Sequence, residues 1–207
     1  MSTILFATHN PAKVKRYLQP LANIGIHLVT ANDIDLIVKD PVEDGSNEWE
    51  NAKIKATAYF LALSDSQKQT IQGTLSLDTG VYFEGVTDDE QPGKHVQRIA
   101  GAGGEHETDD ERFEKMGAFY SGLATRYGGF LNGYFLDSFC FFDGKNYHKV
   151  EAKRTFVLTS TMFFKDVHFP ISSFYTVNGV PYHQLSPQQM QQFIQPSVNA
   201  LVDLLRA

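Results

Sequence analysis

The 207-residue sequence has one cysteine, Cys140, which excludes an intramolecular disulfide. A chain of this length buries a substantial core without such staples. Cys140 lies in the apolar run Tyr134-Phe135-Leu136-Asp137-Ser138-Phe139-Cys140-Phe141-Phe142. A small thiol packs there as a hydrophobe, and no basic neighbour is evident to lower its pKa, so it is not read as a nucleophile. The sequence also lacks any continuous apolar stretch near the roughly 18 residues that a membrane-spanning helix needs. Its first residues enter a strand pattern directly, with no basic segment leading into an apolar export signal. Together these absences lead to the expectation of an intracellular, cytoplasmic protein with no membrane partner. Basic residues are in deficit, 18 Lys and Arg against 24 Asp and Glu, for a formal charge of −6. A long nucleic-acid footprint normally needs a basic excess and is therefore not expected. A free nucleotide stays open, because its few phosphates need only a local group of lysines and backbone amides.

Other familiar motifs are missing too. His95, His106, His148, His168 and His183 are scattered without zinc spacing, and no Ser-His-Asp triad follows from scattered members. The polar stretch 101–108, with its paired glycines, reads as a loop. It has neither the Lys-Ser/Thr ending of a P-loop nor the spacing of a dinucleotide fingerprint.

What is present is an alternation of strand and helix signals, read as a single domain, 1–207, of α/β class. Thr3-Ile4-Leu5-Phe6-Ala7 suits a buried strand ending at Thr8-His9-Asn10-Pro11. The proline, followed by Val14, Tyr17, Leu18 and Leu21 at helical spacing, starts a helix at once. Ile26-His27-Leu28-Val29-Thr30 reads as a second strand. The acidic loop Asp40-Pro41-Val42-Glu43-Asp44-Gly45-Ser46 leads into a helix over 47–64. Thr74-Leu75-Ser76-Leu77 is a strand expected to end in a turn at Asp78-Thr79-Gly80, and open α/β sheets bind ligands beyond such strand ends. A helix over 109–127, β-rich runs over 133–142 and 148–164 joined by Asp143-Gly144-Lys145-Asn146, and a helix over 187–206 complete the pattern. The charges around Asp109 and Arg112 read as a solvated helix face.

Three constellations combine residue types suited to phosphate chemistry. Thr8-His9-Asn10-Pro11-Ala12-Lys13 sets a hydroxyl, an amide and a lysine around a strand-to-helix turn, where backbone N–H groups and the helix dipole favour an anion. Its alternative is an N-cap with Lys13 at an exposed helix start. In Glu50-Asn51-Ala52-Lys53-Ile54-Lys55-Ala56, preceded by Glu43, Glu50 and Lys53 allow an ordinary surface pair while Lys55 faces elsewhere. In Leu77-Asp78-Thr79-Gly80, Asp78 suits either metal binding and handling of an attacking water, or an Asx-turn.

Taken in order, Thr8-x-Asn10-x-x-Lys13, Glu43, Glu50-Asn51-Ala52-x-x-Lys55-Ala56 and Asp78-Thr79-Gly80, then Pro92-Gly93, Arg98 and Gly101, resemble the inosine-triphosphate pyrophosphatase family. The resemblance implies an elongated two-lobed α/β fold around a mixed central β-sheet with flanking helices, a nucleotide cleft between the lobes, and usually a homodimer. It implies hydrolysis of nucleoside triphosphates, deaminated purines such as those of inosine or xanthosine, to monophosphate and pyrophosphate. It further implies Mg2+ handled by Glu43 and Asp78, and catalysis by Asp78, Lys13 and Lys55, with Asp78 orienting or deprotonating water. Substrate contacts are implied from Thr8, Asn10, Lys13, Asn51, Lys55, Thr79, Gly80 and Arg98.

The sequence departs from that pattern at two places. The family usually has adjacent acids before its small hydroxyl residue, and here the first is Leu77. The family's base-reading segments near the C-terminus have as nearest equivalents Phe169-Pro170-Ile171-Ser172-Ser173-Phe174 and Gln195-Pro196-Ser197, without the acid or the cationic pair. Phe174 or Tyr175 either stacks on a base or packs in the core. Two alternatives to an active pyrophosphatase follow: a nucleotide-binding or regulatory protein of weakened turnover, and a phosphatase of altered specificity on the same grip.

Overall fold

Asn10 Oδ1 accepts hydrogen bonds from the Ala12 and Lys13 N–H groups at 2.9 and 3.3 Å, and this cap launches helix α1 (Pro11–Ala22) straight from strand β1 (Ser2–Phe6). Strand β2 (Ile26–Val29) then runs parallel to β1, giving the expected strand–helix–strand unit. The computed structural model describes residues 2–39, 41–96, 98–104 and 106–206. Asp40 of the predicted acidic loop and Glu105 of the predicted 101–108 loop lie outside them. Next along the chain come α2 (Glu48–Ala62), α3 (Asp65–Lys68), β3 (Ile71–Phe83), α4 (Asp109–Arg126), β4 (Phe130–Phe142) and β5 (Tyr147–Thr159). The chain ends with β6 (Tyr175–Val177), β7 (Val180–Pro181) and α5 (Pro187–Arg206). The strands are hydrogen-bonded in the order β2-β1-β3-β4-β5-β6-β7. The sheet is mixed: β1 is parallel to both β2 and β3, whereas β5–β6 and β6–β7 are antiparallel.

Helix positions agree with the expectations to within a residue or two. Strand β3 corrects them. Asp78-Thr79-Gly80 is not a turn closing a four-residue strand but the middle of a thirteen-residue one. Beyond Gly80 the buried Val81 and Phe83 continue the alternation, and Val81 exchanges backbone bonds with Gly93 at 3.0 and 2.9 Å, so nothing ends the strand there. The run predicted over 148–164 is shorter than expected, with β5 ending at Thr159, whose hydroxyl donates to the Thr161 carbonyl at 2.9 Å.

A bulge decides which way Asp78 faces. Thr3 pairs with Ile71 but Leu5 pairs with Thr74, so β3 carries an extra residue against β1. Gly73 lies within it. A Cβ there would sit 2.5 Å from the Phe142 carbonyl oxygen. Ile71 accordingly packs with Leu5, Val29, Tyr59 and Leu63, whereas Leu75 and Leu77 pack on the other face with Phe6, Tyr17, Phe139 and Leu201. Ser76 and Asp78 therefore turn towards α2, and Ser76 Oγ donates to the Ala52 carbonyl at 2.5 Å.

The chain divides into two compact units. The first comprises Met1–Thr79, Asp137–Ala152 and Ile194–Ala207. In it α1 and α5 cover one face of the strands and α2 the other, with Ala52 and Ala56 of α2 packed on Cys140 and Phe142 of β4. Cys140 is wholly buried, and that burial pushes its thiol up to about 12. The second comprises Gly80–Leu136 and Lys153–Phe193. Its centre is aromatic: Phe135 contacts Phe156, Phe169, Tyr175 and Phe193, and the buried Arg154 guanidinium lies over the Phe135 and Phe193 rings. Phe174 is buried against Phe113 and Gly117, and Tyr175 is 1% exposed, so both belong to this core and not to a base-stacking surface.

Candidate active site

Two side chains one helical turn apart on α2 meet Asp78. Asn51 Nδ2 donates to Oδ2 at 3.1 Å, and Lys55 Nζ lies 3.4 Å from Oδ1. They share a helix face because residues four apart do, and the small buried Ala52 and Ala56 let that helix lie close to the sheet. The Asx-turn alternative for Asp78 is thereby replaced by long-range contacts from within a strand. Asp78 itself is 9% exposed.

The loop bearing Glu43 is fastened to the same helix. Asn51 Oδ1 accepts the Gly45 N–H at 2.9 Å, so one amide joins the loop to Asp78. Only glycine allows this approach. A Cβ at residue 45 would lie 2.6 Å from Glu50 Cβ and 2.7 Å from Asn51 Oδ1. Glu43 Oε2 is then 3.2 Å from Lys55 Nζ, and the one ammonium bridges two carboxylates. Lys53 faces away, over the Tyr147 ring at 4.9 Å, instead of forming the surface pair expected with Glu50.

Lys13 overturns the expectation of an exposed helix start. Its side chain runs inward from the first turn of α1, and Nζ donates to the Leu77 carbonyl at 3.2 Å. Burial lowers its pKa to about 8. The Lys55 and Arg16 charges push the same way, while Asp78 and Asp137 act against them. Thr8 Oγ1 accepts from the Asn10 N–H at 3.1 Å, ordering the turn before the helix. Thr79 Oγ1 donates to Asp137 Oδ1 at 2.9 Å. The structure thus brings together Lys13, Glu43, Asn51, Lys55, Asp78 and Thr79, all in the first unit. Gly80 and the exposed Arg98 belong to the second. Two contributors escaped the sequence reading: Gly45, lost among loop residues, and Asp137, whose signal was a lone acid within an apolar run.

Among the described residues no group of three or more His, Cys, Asp and Glu side chains is arranged to hold a metal ion. Two hard carboxylate donors, Asp78 and Glu43, do converge. That donor set fits Mg2+, which commonly takes one or two carboxylates and completes its shell with water and substrate phosphates. Among the described residues no helix is long and apolar enough to cross a membrane.

Residues 4–134 match the model of the Ham1 family. A dITP/XTP pyrophosphatase of Zymomonas mobilis is 33% identical over 113 residues, covering 55% of this chain and 47% of that protein. The chain thus spans about half the length of the curated relative it matches. The fold is similar to that of a HAM1 protein from Coxiella burnetii, with a TM-score of 0.74 at 20% identity over 100% of this chain and 99% of the other.

Proposed function

We propose that this chain, which belongs to the Ham1 family, hydrolyses nucleoside triphosphates to nucleoside monophosphate and pyrophosphate in the cytoplasm, with Mg2+ as cofactor and deaminated purines as substrates. The observation that carries this reading is the cluster in which Lys55 contacts both Asp78 and Glu43 while Lys13 bonds the carbonyl of the adjoining Leu77. A triphosphate needs concentrated positive charge, and hydrolysis needs a base beside it. The name of the Zymomonas relative supports the same class of substrate.

In this mechanism the N-terminal turn of α1, with Thr8 and Asn10, receives the phosphate chain, and Lys13 and Lys55 neutralise its oxygens. Lysine suits the task because a compact charge on a flexible stem follows the phosphate as charge builds. Asp78 accepts a proton from water as the water oxygen bonds to the α-phosphorus. The electron pair of the broken anhydride bond leaves with pyrophosphate. Asn51 keeps Asp78 turned to this work by holding Oδ2 and leaving Oδ1 beside Lys55. Asp78 and Glu43 would hold Mg2+, which would supply further neutralisation of phosphate charge. Thr79 adds a further substrate contact, and a homodimer belongs to the same reading.

Product analysis over a panel of nucleoside triphosphates, with and without Mg2+, tests the class directly. Stoichiometric pyrophosphate and monophosphate are expected. Release of inorganic phosphate alone rejects the reaction, and tight nucleotide binding without turnover favours the binding-protein alternative that Leu77 motivates.

A further inference from the structure

Lys55 is assigned to phosphate, yet in the structure its ammonium is engaged by an acid on either side. Nζ lies 3.2 Å from Glu43 Oε2 and 3.4 Å from Asp78 Oδ1. The Lys55 and Asp78 side chains are each 13% exposed and that of Glu43 is 37% exposed, so Glu43 is the outer partner and Asp78 the inner one. Lys13 differs. Its ammonium donates to the Leu77 carbonyl, a neutral partner that cancels none of its charge.

The two acids that engage Lys55 are also the pair whose donor set fits Mg2+. Mg2+ takes carboxylate oxygens at about 2.0–2.1 Å, and an ammonium between the same two carboxylates would be pressed against a divalent charge. One cation therefore excludes the other. The acids are fixed and the lysine is not. Asn51 holds Asp78 Oδ2 at 3.1 Å and the Gly45 N–H at 2.9 Å, close to Glu43 in the loop, whereas the Lys55 ammonium ends a flexible four-carbon stem. An exchange of cations thus moves the ammonium and leaves the carboxylates in place. Without a divalent cation, two carboxylates against one ammonium leave this cluster net negative, and an arriving triphosphate meets a lysine already neutralised.

We propose that Lys55 is a latched lysine: Glu43 and Asp78 keep it from phosphate until a divalent cation takes its place between them, and the freed ammonium then turns to the triphosphate. The proposal rests on the triphosphate reading, which supplies the ligand that the freed lysine meets. It makes the metal a condition for the grip as well as a source of charge. Glu43 then has two successive partners, Lys55 first and the metal second.

The test measures binding and needs no turnover. Tripolyphosphate affinity is determined by calorimetry in excess chelator for wild type, Glu43→Gln, Lys55→Met and the double variant. Asp44→Asn is the control, since it removes an exposed acid from the same loop. Glu43→Gln is expected to tighten metal-free binding about fivefold, near the most that releasing a partly exposed ion pair yields, and Asp44→Asn clearly less. In the Lys55→Met background the gain is expected to shrink to that of the control. An equal gain in both backgrounds, or no gain beyond that of Asp44→Asn, means that Glu43 acts only by its charge and overturns the proposal. A second readout covers the case in which Lys55→Met does not fold. Lysines carrying 13C at Cε are followed by NMR as Mg2+ is added without nucleotide, with Lys55→Arg identifying the Lys55 signal. That signal is expected to move with Mg2+ in the wild type and to begin displaced in Glu43→Gln. A Lys55 signal that stays put over the Mg2+ range that strengthens tripolyphosphate binding overturns the exchange. Passing both readouts in a protein that releases no pyrophosphate from any nucleoside triphosphate supports the latch and removes the functional reading instead.

Discussion

Asn51 and Asp78 are joined by a 3.1 Å hydrogen bond whose donor amide is held at its other end by the Gly45 N–H. Asn51 is 3% exposed, so neither of its contacts is replaced by bulk water when it is removed. Asn51→Ala is expected to cost about 1–3 kcal/mol of stability, the usual penalty for stranding buried partners. It is also expected to raise the Mg2+ concentration needed for half-maximal turnover, since it frees both the Glu43 loop and Asp78. Denaturant melts and a magnesium titration on one preparation check both effects, and a stability loss with an unaltered magnesium requirement would leave Asn51 a structural residue only.

Asp78→Asn keeps the shape of the side chain and removes its charge and basicity. Turnover is expected to fall by at least about 10²-fold, the lower range for loss of a positioned general base. Stability should change by no more than about 1 kcal/mol, because Lys55 retains Glu43 as a partner. Pyrophosphate release and melting temperature decide the matter together. A well-folded variant with near-normal turnover takes Asp78 out of the reaction.

If Lys13 grips the triphosphate as proposed, binding is expected to depend on pH. With its pKa lowered to about 8, the ammonium loses its proton as pH rises through that value, and KM is expected to climb above it. Stability moves the other way. The unfolded lysine keeps its proton up to its ordinary value of 10.5, so the unfolded state binds more protons between the two values and folding gains as pH rises across that window. Lys13→Met should flatten both profiles. A KM that is level from pH 7 to 9.5 in the wild type contradicts the assignment.

Chelation of divalent metal is expected to abolish turnover while leaving the melting temperature of the nucleotide-free protein nearly unchanged, since among the described residues only Asp78 and Glu43 converge and Lys55 already bridges them. Full activity in excess chelator rejects Mg2+ as cofactor.

Local signals carried most of the elements. The Asn10 cap, the period of α1 and the apolar strands were legible because each is written within a few residues. The candidate lysines and acids were legible as types and spacings, but not their contacts. Lys13 looked like a surface lysine because a hexapeptide does not reveal the mid-strand carbonyl of β3 that it reaches. The course of β3 was misread at Asp78 because turn-forming residues inside a paired strand are overruled by the partners on either side. Its facing depended on the bulge at Gly73, a feature that arises from pairing with β1 and is invisible in β3 alone. Asp137 was in view throughout, yet its meaning depended on Thr79 and Ser197, distant in sequence.

Cys140 gives the molecule a built-in clock. Its thiol is sealed between β4 and α2 and held largely protonated, so a disulfide reagent reaches it only during excursions that lift the helix from the strand. Asn51 and Lys55 ride on that helix, and each excursion takes them away from Asp78. The rate of thiol capture therefore counts how often this cluster comes apart, in a sequence with no second cysteine to confuse the tally.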